Sequence, residues 1–373
     1  HRKDFNLTQR YRAITGGSRR ELQAQVERGF PYLPAGSQIV LDDVTQAQVL
    51  SNIKAQIATR WKHFLTEMRA VGDVDLSTFL AESGAELSDL LGKGSFTRLR
   101  REAGLPTLAG GPFEEALLKR LKALVHVDDR SRHDAYLRLL SDDPPGYDSL
   151  STADRRWADM LFFSLWPDGG GFLSIAEGFV ALQGEPAFRE EARQTLGLAL
   201  DRAEHVARPL VGRLRDTPLR SHAHYSREEL MAALGHATLA RAPRHMREGV
   251  FFNRELDVDT LLVTLVKSQA HFSPTTMYGD YAINASLFHW ESQSGTSVAS
   301  PTGQRYLTQR SNGSEILLYV RGSKVWEFGG GAPYLLLGDA DYVEHRGERP
   351  IAVTWKMRRE LPPQVLQESR AVS

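Results

Sequence analysis

The 373-residue chain contains no cysteine. Disulfides, thiolate nucleophiles, cysteine zinc sites and iron–sulfur clusters are thereby excluded, and a cytoplasmic location is the expectation. No run approaches the ~20 apolar residues of a membrane-spanning helix, and no basic-then-apolar leader opens the chain, so no membrane partner is expected. An excess of one charge is missing too, since 46 Lys and Arg stand against 46 Asp and Glu. Nucleic acid, if bound, is then held by a local patch and shaped contacts. The phosphate-binding GxxxxGK[ST] loop, the GxSxG elbow and the HExxH helix are all absent from the sequence. The chain opens at His1 and carries no initiating methionine, which reads as a piece of something longer.

What is present is an ordinary globular composition, 41% hydrophobic and 25% charged, long enough for two or three domains. The patterning changes near residue 220. Before it, apolar residues recur at helical steps: Val49, Leu50, Ile53, Ile57, Trp61, Phe64, Leu65 and Met68 form one stripe that Gly72 closes. Short helices follow at about 77–83, 85–91, 95–103 and 113–125, with Ser77 and Ser95 as caps. Thr152 starts an aromatic helix, and a last helix runs from about Glu190 to Leu214 with a kink or end at Pro209. After a linker at 215–225, Ser226, Glu229 and Gly235 spell a capping box and a stop. The period then becomes two. Strands are expected at Gly249–Asn253, Thr260–Val266, Ser286–Trp290, Glu315–Arg321, Tyr334–Asp339 and Ile351–Met357, with Gly329, Gly330 and Gly331 as a hairpin turn. The fold class is α+β: a helical part over 1–220, then a curled sheet or barrel over 221–373.

The stretch HFSPTTMYGDYAINASLFHWESQS, residues 271–294, holds Phe272, Tyr278, Tyr281, Phe288 and Trp290, most of them among loop-forming residues. Rings in loop sequence suit a pocket that stacks a flat ligand such as a base turned out of a duplex. The alternative is that they cover one end of the sheet. Asp280 lies between two tyrosines and can accept from the Watson–Crick edge of cytosine, or it can serve its own turn. Arg305 and Arg310, with Lys267, are the candidates for backbone phosphates. Glu291 and Gln293 downstream of Asp280 faintly echo magnesium-binding nuclease carboxylates. His222, His224, His271 and His289 have no fixed metal-ligand spacing, so no metal site is expected.

These motifs together carry a resemblance. GFPYLPAGSQIVLDDV at 29–44, FSPTTMYGDYAINASLFHWESQS, SPTGQRYL at 300–307 and SNGSEILLYVR at 311–321 resemble the C-terminal region of SauUSI-like type IV restriction enzymes. Those proteins fuse a phospholipase-D-type nuclease, a superfamily-two helicase and a C-terminal domain of formerly unknown function. HRKDFNLTQRYRAITGG looks like the tail of the second helicase lobe. The resemblance implies a helical coupler over 1–220 and an SRA- or PUA-like barrel that reads modified cytosine by base flipping over 221–373. It implies Tyr278 and Tyr281 as stacking residues and Asp280 as the cytosine-edge acceptor, with Phe272, His289 and Trp290 completing the pocket. The implied partners are double-stranded DNA with 5-methylcytosine or 5-hydroxymethylcytosine and the helicase and nuclease domains of the same parent chain. ATP and magnesium belong to that parent; this stretch lacks the nuclease HxK and Walker motifs and is expected to be non-catalytic and to need no cofactor. The other reading is a protein-interaction or regulatory module for an attached helicase.

Overall fold

The computed structural model describes residues 61–243, 249–265 and 279–370. Helices come first and a sheet follows, as the change of period implies. Grouping by proximity gives two compact units, residues 1–122 with 185–195, and residues 123–184 with 196–373.

In the first unit the helical stripe ends as expected. Trp61–Val71 buries Phe64 and Met68, and Gly72 takes a left-handed φ of 88° that a side chain would resist. Leu76–Ser83 is capped by Asp75, whose Oδ1 accepts from Thr78 N at 2.7 Å. Ser77 is therefore not the cap; it lies inside the helix and donates its hydroxyl to the same carboxylate. Phe96–Ala103 does use Ser95 as its cap, and Glu191 also accepts from Phe96 N and Thr97 N there. The expected 190–214 helix is instead Pro186–Asp201, which stops well before Pro209.

The second unit is built on an eight-stranded sheet, with a separate two-stranded one. Its strands are β1 (Arg208–Pro209), β2 (Arg220–Ser221), β3 (His224–Tyr225), β4 (Val250–Asn253), β5 (Val258–Thr264), β6 (Tyr281–Ala282), β7 (Leu287–Glu291), β8 (Glu315–Arg321), β9 (Tyr334–Arg346) and β10 (Ala352–Met357). β1 and β2 pair apart from the rest; the main order is β4-β5-β8-β9-β10-β7-β6, with β3 added to β9. β5 and β8 run parallel, and β5 is buried along its whole length, as a strand covered on both faces should be. Among the described residues the order has two ends, β4 and β6, so these strands form an open sheet with no pairing that closes it. Period two explains the core. Ile316, Leu318 and Val320 of β8 share one face with Phe288 and Trp290 of β7 and Val353, Trp355 and Met357 of β10. β9 runs on to Arg346, past the expected end at Asp339, because β10 pairs with it as far as Arg346. Gly338 sits at the irregularity in the β8–β9 ladder with φ 125°, and a Cβ there would meet Ser221 Oγ at 3.0 Å.

The helices Arg130–Leu139 and Arg227–Ala233 belong to this unit and meet in a buried ionic cluster. The expected capping box is present at Ser226 and Glu229. Glu229 also accepts from Tyr136 Oη at 2.8 Å and Arg132 Nη1 at 3.2 Å, and bonds His126 Nε2. Arg132, fully buried, is held as well by Asp128 and Asp129 and lies over the Tyr225 ring at 4.4 Å. Asp128 in turn takes His224 N and Nδ1. Because β3 pairs with β9, the cluster anchors these helices to the strand that borders β8 and β10.

Candidate functional site

The aromatic stretch divides by the geometry of a strand. Phe272, Tyr278 and Lys267 lie outside the described residues. From Gly279 onward the chain makes β6, a turn closed by Asn284, and β7. Asn284 Oδ1 accepts from Ser286 N at 2.9 Å and Leu287 N at 3.0 Å, the side-chain turn that asparagine favours. This turn sets Tyr281 directly opposite His289 in the ladder. The two rings stack, with centroids 4.8 Å apart and planes 27° apart, and Tyr281 is 39% exposed. The same row continues through Thr354 of β10 to Glu344 of β9. A shelf of two rings thus lies on the face of the sheet away from the core.

Asp280 precedes the shelf. Its Oδ1 accepts from Glu291 N at 2.9 Å and ties the start of β6 to the end of β7. This hydrogen bond serves the backbone of the neighbouring strand and not the residue's own turn, and Asp280 immediately precedes Tyr281 in the chain. Trp290 is elsewhere. Neighbours on a strand point to opposite faces, so Trp290 is 4% exposed in the core, edge-on to Tyr306 at 5.3 Å and near Trp355. It does not share a surface with His289, and the two do not line one pocket. Phe288 is fully buried on the core face as well.

The arginines separate too. Ser300 caps the Pro301–Leu307 helix, with Pro301 in its first turn, and this helix points Arg305 at the sheet. Arg305 gives Nε and Nη2 to the two oxygens of Asp259, at 2.6 and 2.8 Å, and lies 4.0 Å from the Phe252 ring centroid. The hydrogen bonds to Asp259 raise the guanidinium pKa further above its usual range. Such a fork-on-fork pair neutralises the guanidinium and takes up one of its edges. Arg310, on Gln309–Asn312, is exposed; its charge is one of several that hold Asp341 below the usual carboxylate range, the Arg358 hydrogen bond first among them. Among the described residues no group of three or more His, Asp or Glu side chains is placed to share a metal ion.

One feature had no forecast from the sequence. Arg321, the last residue of β8, lies over the Tyr334 ring with Cζ 4.4 Å from the centroid. Arg227 Nη2 reaches the Tyr334 hydroxyl at 3.4 Å. The signal in the sequence is Arg321's position after the apolar run Ile316, Leu317, Leu318, Tyr319 and Val320, where a charge marks an exit from the core.

Residues 219–368 match a family model described as "Domain of unknown function (DUF3427)". No curated protein matches the chain. The matched stretch begins at the β2 strand and runs to the C-terminal helix, so it takes in the sheet, the Tyr281–His289 shelf and both Arg305 and Arg321.

Proposed function

We propose that this chain is the target-recognition region of an ATP-dependent, modification-dependent restriction enzyme. In this reading residues from about 221 bind duplex DNA and hold a flipped 5-methylcytosine or 5-hydroxymethylcytosine. The observation that carries it is the stacked, solvent-facing Tyr281–His289 pair beside Asp280. An exposed pair of rings held in register by two strands offers a flat apolar surface already paid for by folding, and each stacked base gains about 1–3 kcal/mol on such a surface. Flipping costs a few kcal/mol, so one shelf roughly offsets it. The methyl group adds ~1–3 kcal/mol if it fills a small apolar niche. The open sheet would then be the described portion of an SRA- or PUA-like barrel. The chain itself performs no chemistry in this reading; ATP, magnesium and cleavage belong to the helicase and nuclease domains of the parent protein.

Tyr281→Ala tests it. The variant is expected to bind methylated duplex about 5- to 150-fold more weakly, with a smaller methylated-to-unmodified ratio. His289→Ala is expected to do the same to a lesser degree, by leaving the tyrosine unsupported. Both variants change exposed or half-buried positions, so the fold is expected to persist. An unchanged ratio in both folded variants moves the pocket elsewhere. If the wild-type chain shows no duplex binding at all, a protein-docking module becomes the better reading of the same exposed edge.

A further inference from the structure

β5 and β8 are the one parallel pair among the described strands, and both end at the same side of the sheet, at Thr264 and Arg321. At that end the Arg321 guanidinium is partly buried. Nε donates to Thr264 Oγ1 at 3.0 Å and Nη1 to Ala332 O at 3.3 Å. A guanidinium has five N–H donors, so most remain to be used. Among the described residues no Asp or Glu comes within ion-pair distance of it. Its charged neighbour is instead Arg227, which reaches the Tyr334 hydroxyl. Burial chiefly pulls the Arg321 pKa below its ordinary range; Tyr334 opposes it, and the like charge of Arg227 adds the smallest push downward. Residues 266–278, which follow β5 in the chain, contain no Asp or Glu either.

The arrangement contrasts with two other arginines of the sheet region. Arg305 is matched by Asp259, and Arg358 by Asp339, Asp341 and Glu315. Two guanidinium groups converging on one buried tyrosine, one of them without a carboxylate, leave positive charge where desolvation makes it costly. An anion would relieve it, and planar guanidinium forks fit a tetrahedral phosphate by paired hydrogen bonds.

We infer that Arg321, with Arg227 at the Tyr334 hydroxyl, forms a phosphate-binding site at the carboxyl ends of β5 and β8. On DNA this phosphate is a backbone phosphodiester, a clause that rests on the proposed function; the anion site itself does not.

The test uses the full chain, a short unmodified duplex, its methylated counterpart and inorganic phosphate. Arg321→Gln is expected to weaken both duplexes alike, to keep the methylated-to-unmodified ratio, and to reduce the log–log salt slope by about 1. Arg321→Lys is expected to keep most of the slope. At constant ionic strength, inorganic phosphate is expected to raise the thermal midpoint of the wild type and not of Arg321→Gln. If wild type binds no duplex yet phosphate still stabilises it through Arg321, the DNA reading fails and the site stands for a free phosphate ester. If neither the slope nor the phosphate effect changes in folded Arg321→Gln, the site is refuted. Absence of both duplex and phosphate binding in wild type refutes it equally. Should Arg321→Gln fail to fold, Arg227→Gln decides on the same two readouts.

Discussion

Replacing Glu229 by glutamine removes one negative charge from the buried cluster and turns one of its two acceptor oxygens into an N–H donor. Glu229 is completely buried and serves four donors: Arg132, Tyr136, His126 and the Ser226 amide. Burial pushes its carboxyl up, but the Arg132 charge, His126 and the Ser226 amide together outweigh it and hold the pKa at about 2, against 4.5 for a free glutamate. A group whose folded pKa is depressed contributes stability above its unfolded pKa and loses it as pH falls through the folded one. The window is therefore from about pH 5 down to about pH 2, and the contribution at neutral pH is about 3 kcal/mol. Glutamine keeps the shape but cannot neutralise Arg132, which is then left with Asp128 and Asp129. Breaking one arm of a buried network of this kind costs about 3–5 kcal/mol. Urea unfolding at pH 7 should show that loss as a lower midpoint at similar slope. Repeated down to pH 3, wild type and variant should converge by about 2 kcal/mol, because the wild type is losing what the variant never had. Asp128 is also held low, burial being outweighed by its His224 hydrogen bond and charge and by Arg132, so only the difference between the two proteins isolates Glu229. A loss below about 1 kcal/mol at pH 7 with parallel acid profiles would refute the assignment.

Other expectations follow from single contacts. Arg305→Ala should act mainly on stability, costing about 3–5 kcal/mol by leaving Asp259 buried without its partner; denaturation checks this, and a fully stable variant with a flattened DNA salt slope would contradict it. Trp290→Ala should cost ~3–5 kcal/mol by opening a cavity beside Tyr306 and Trp355, whereas folded Trp290→Phe should keep the methylated-to-unmodified ratio. A piece that begins at residue 219 should unfold at much lower urea than the whole chain, since it lacks Asp128, Arg132 and His126; equal midpoints would show the ionic cluster to be dispensable. Purified chain with ATP and magnesium should leave DNA uncut, and cleavage that vanishes in Glu291→Gln would overturn the non-catalytic reading.

Local signals in the sequence reached local structure. The Ser226–Glu229 capping box, the Ser95 cap and the β8 strand from Glu315 to Arg321 were all legible, because a few adjacent residues decide them. The glycine turn before β9 was legible for the same reason, and Gly329 and Gly330 do adopt positive φ. Ser77 misled because Asp75, two positions earlier, is an equally good cap and lies at the helix start. The aromatic stretch misled in one respect. Loop composition points to a pocket that includes Trp290, whereas the strand expected over Ser286–Trp290 puts Phe288 and Trp290 on a face that His289 does not share. Long-range pairings were not legible. Nothing near Arg305 in the sequence points to Asp259, 46 residues away, and nothing near Arg132 points to Glu229, 97 residues away. Such pairs arise only when the sheet and helices bring distant positions together.

Competition binding of matched duplexes carrying cytosine, 5-methylcytosine or 5-hydroxymethylcytosine at one position, with the full chain, tests the central claim most directly. The account expects a modified duplex to compete better than the unmodified one by about 5- to 150-fold, the range of ~1–3 kcal/mol. It also expects that advantage to shrink in Tyr281→Ala. Equal competition by all three duplexes, or an advantage that Tyr281→Ala leaves intact, would contradict it.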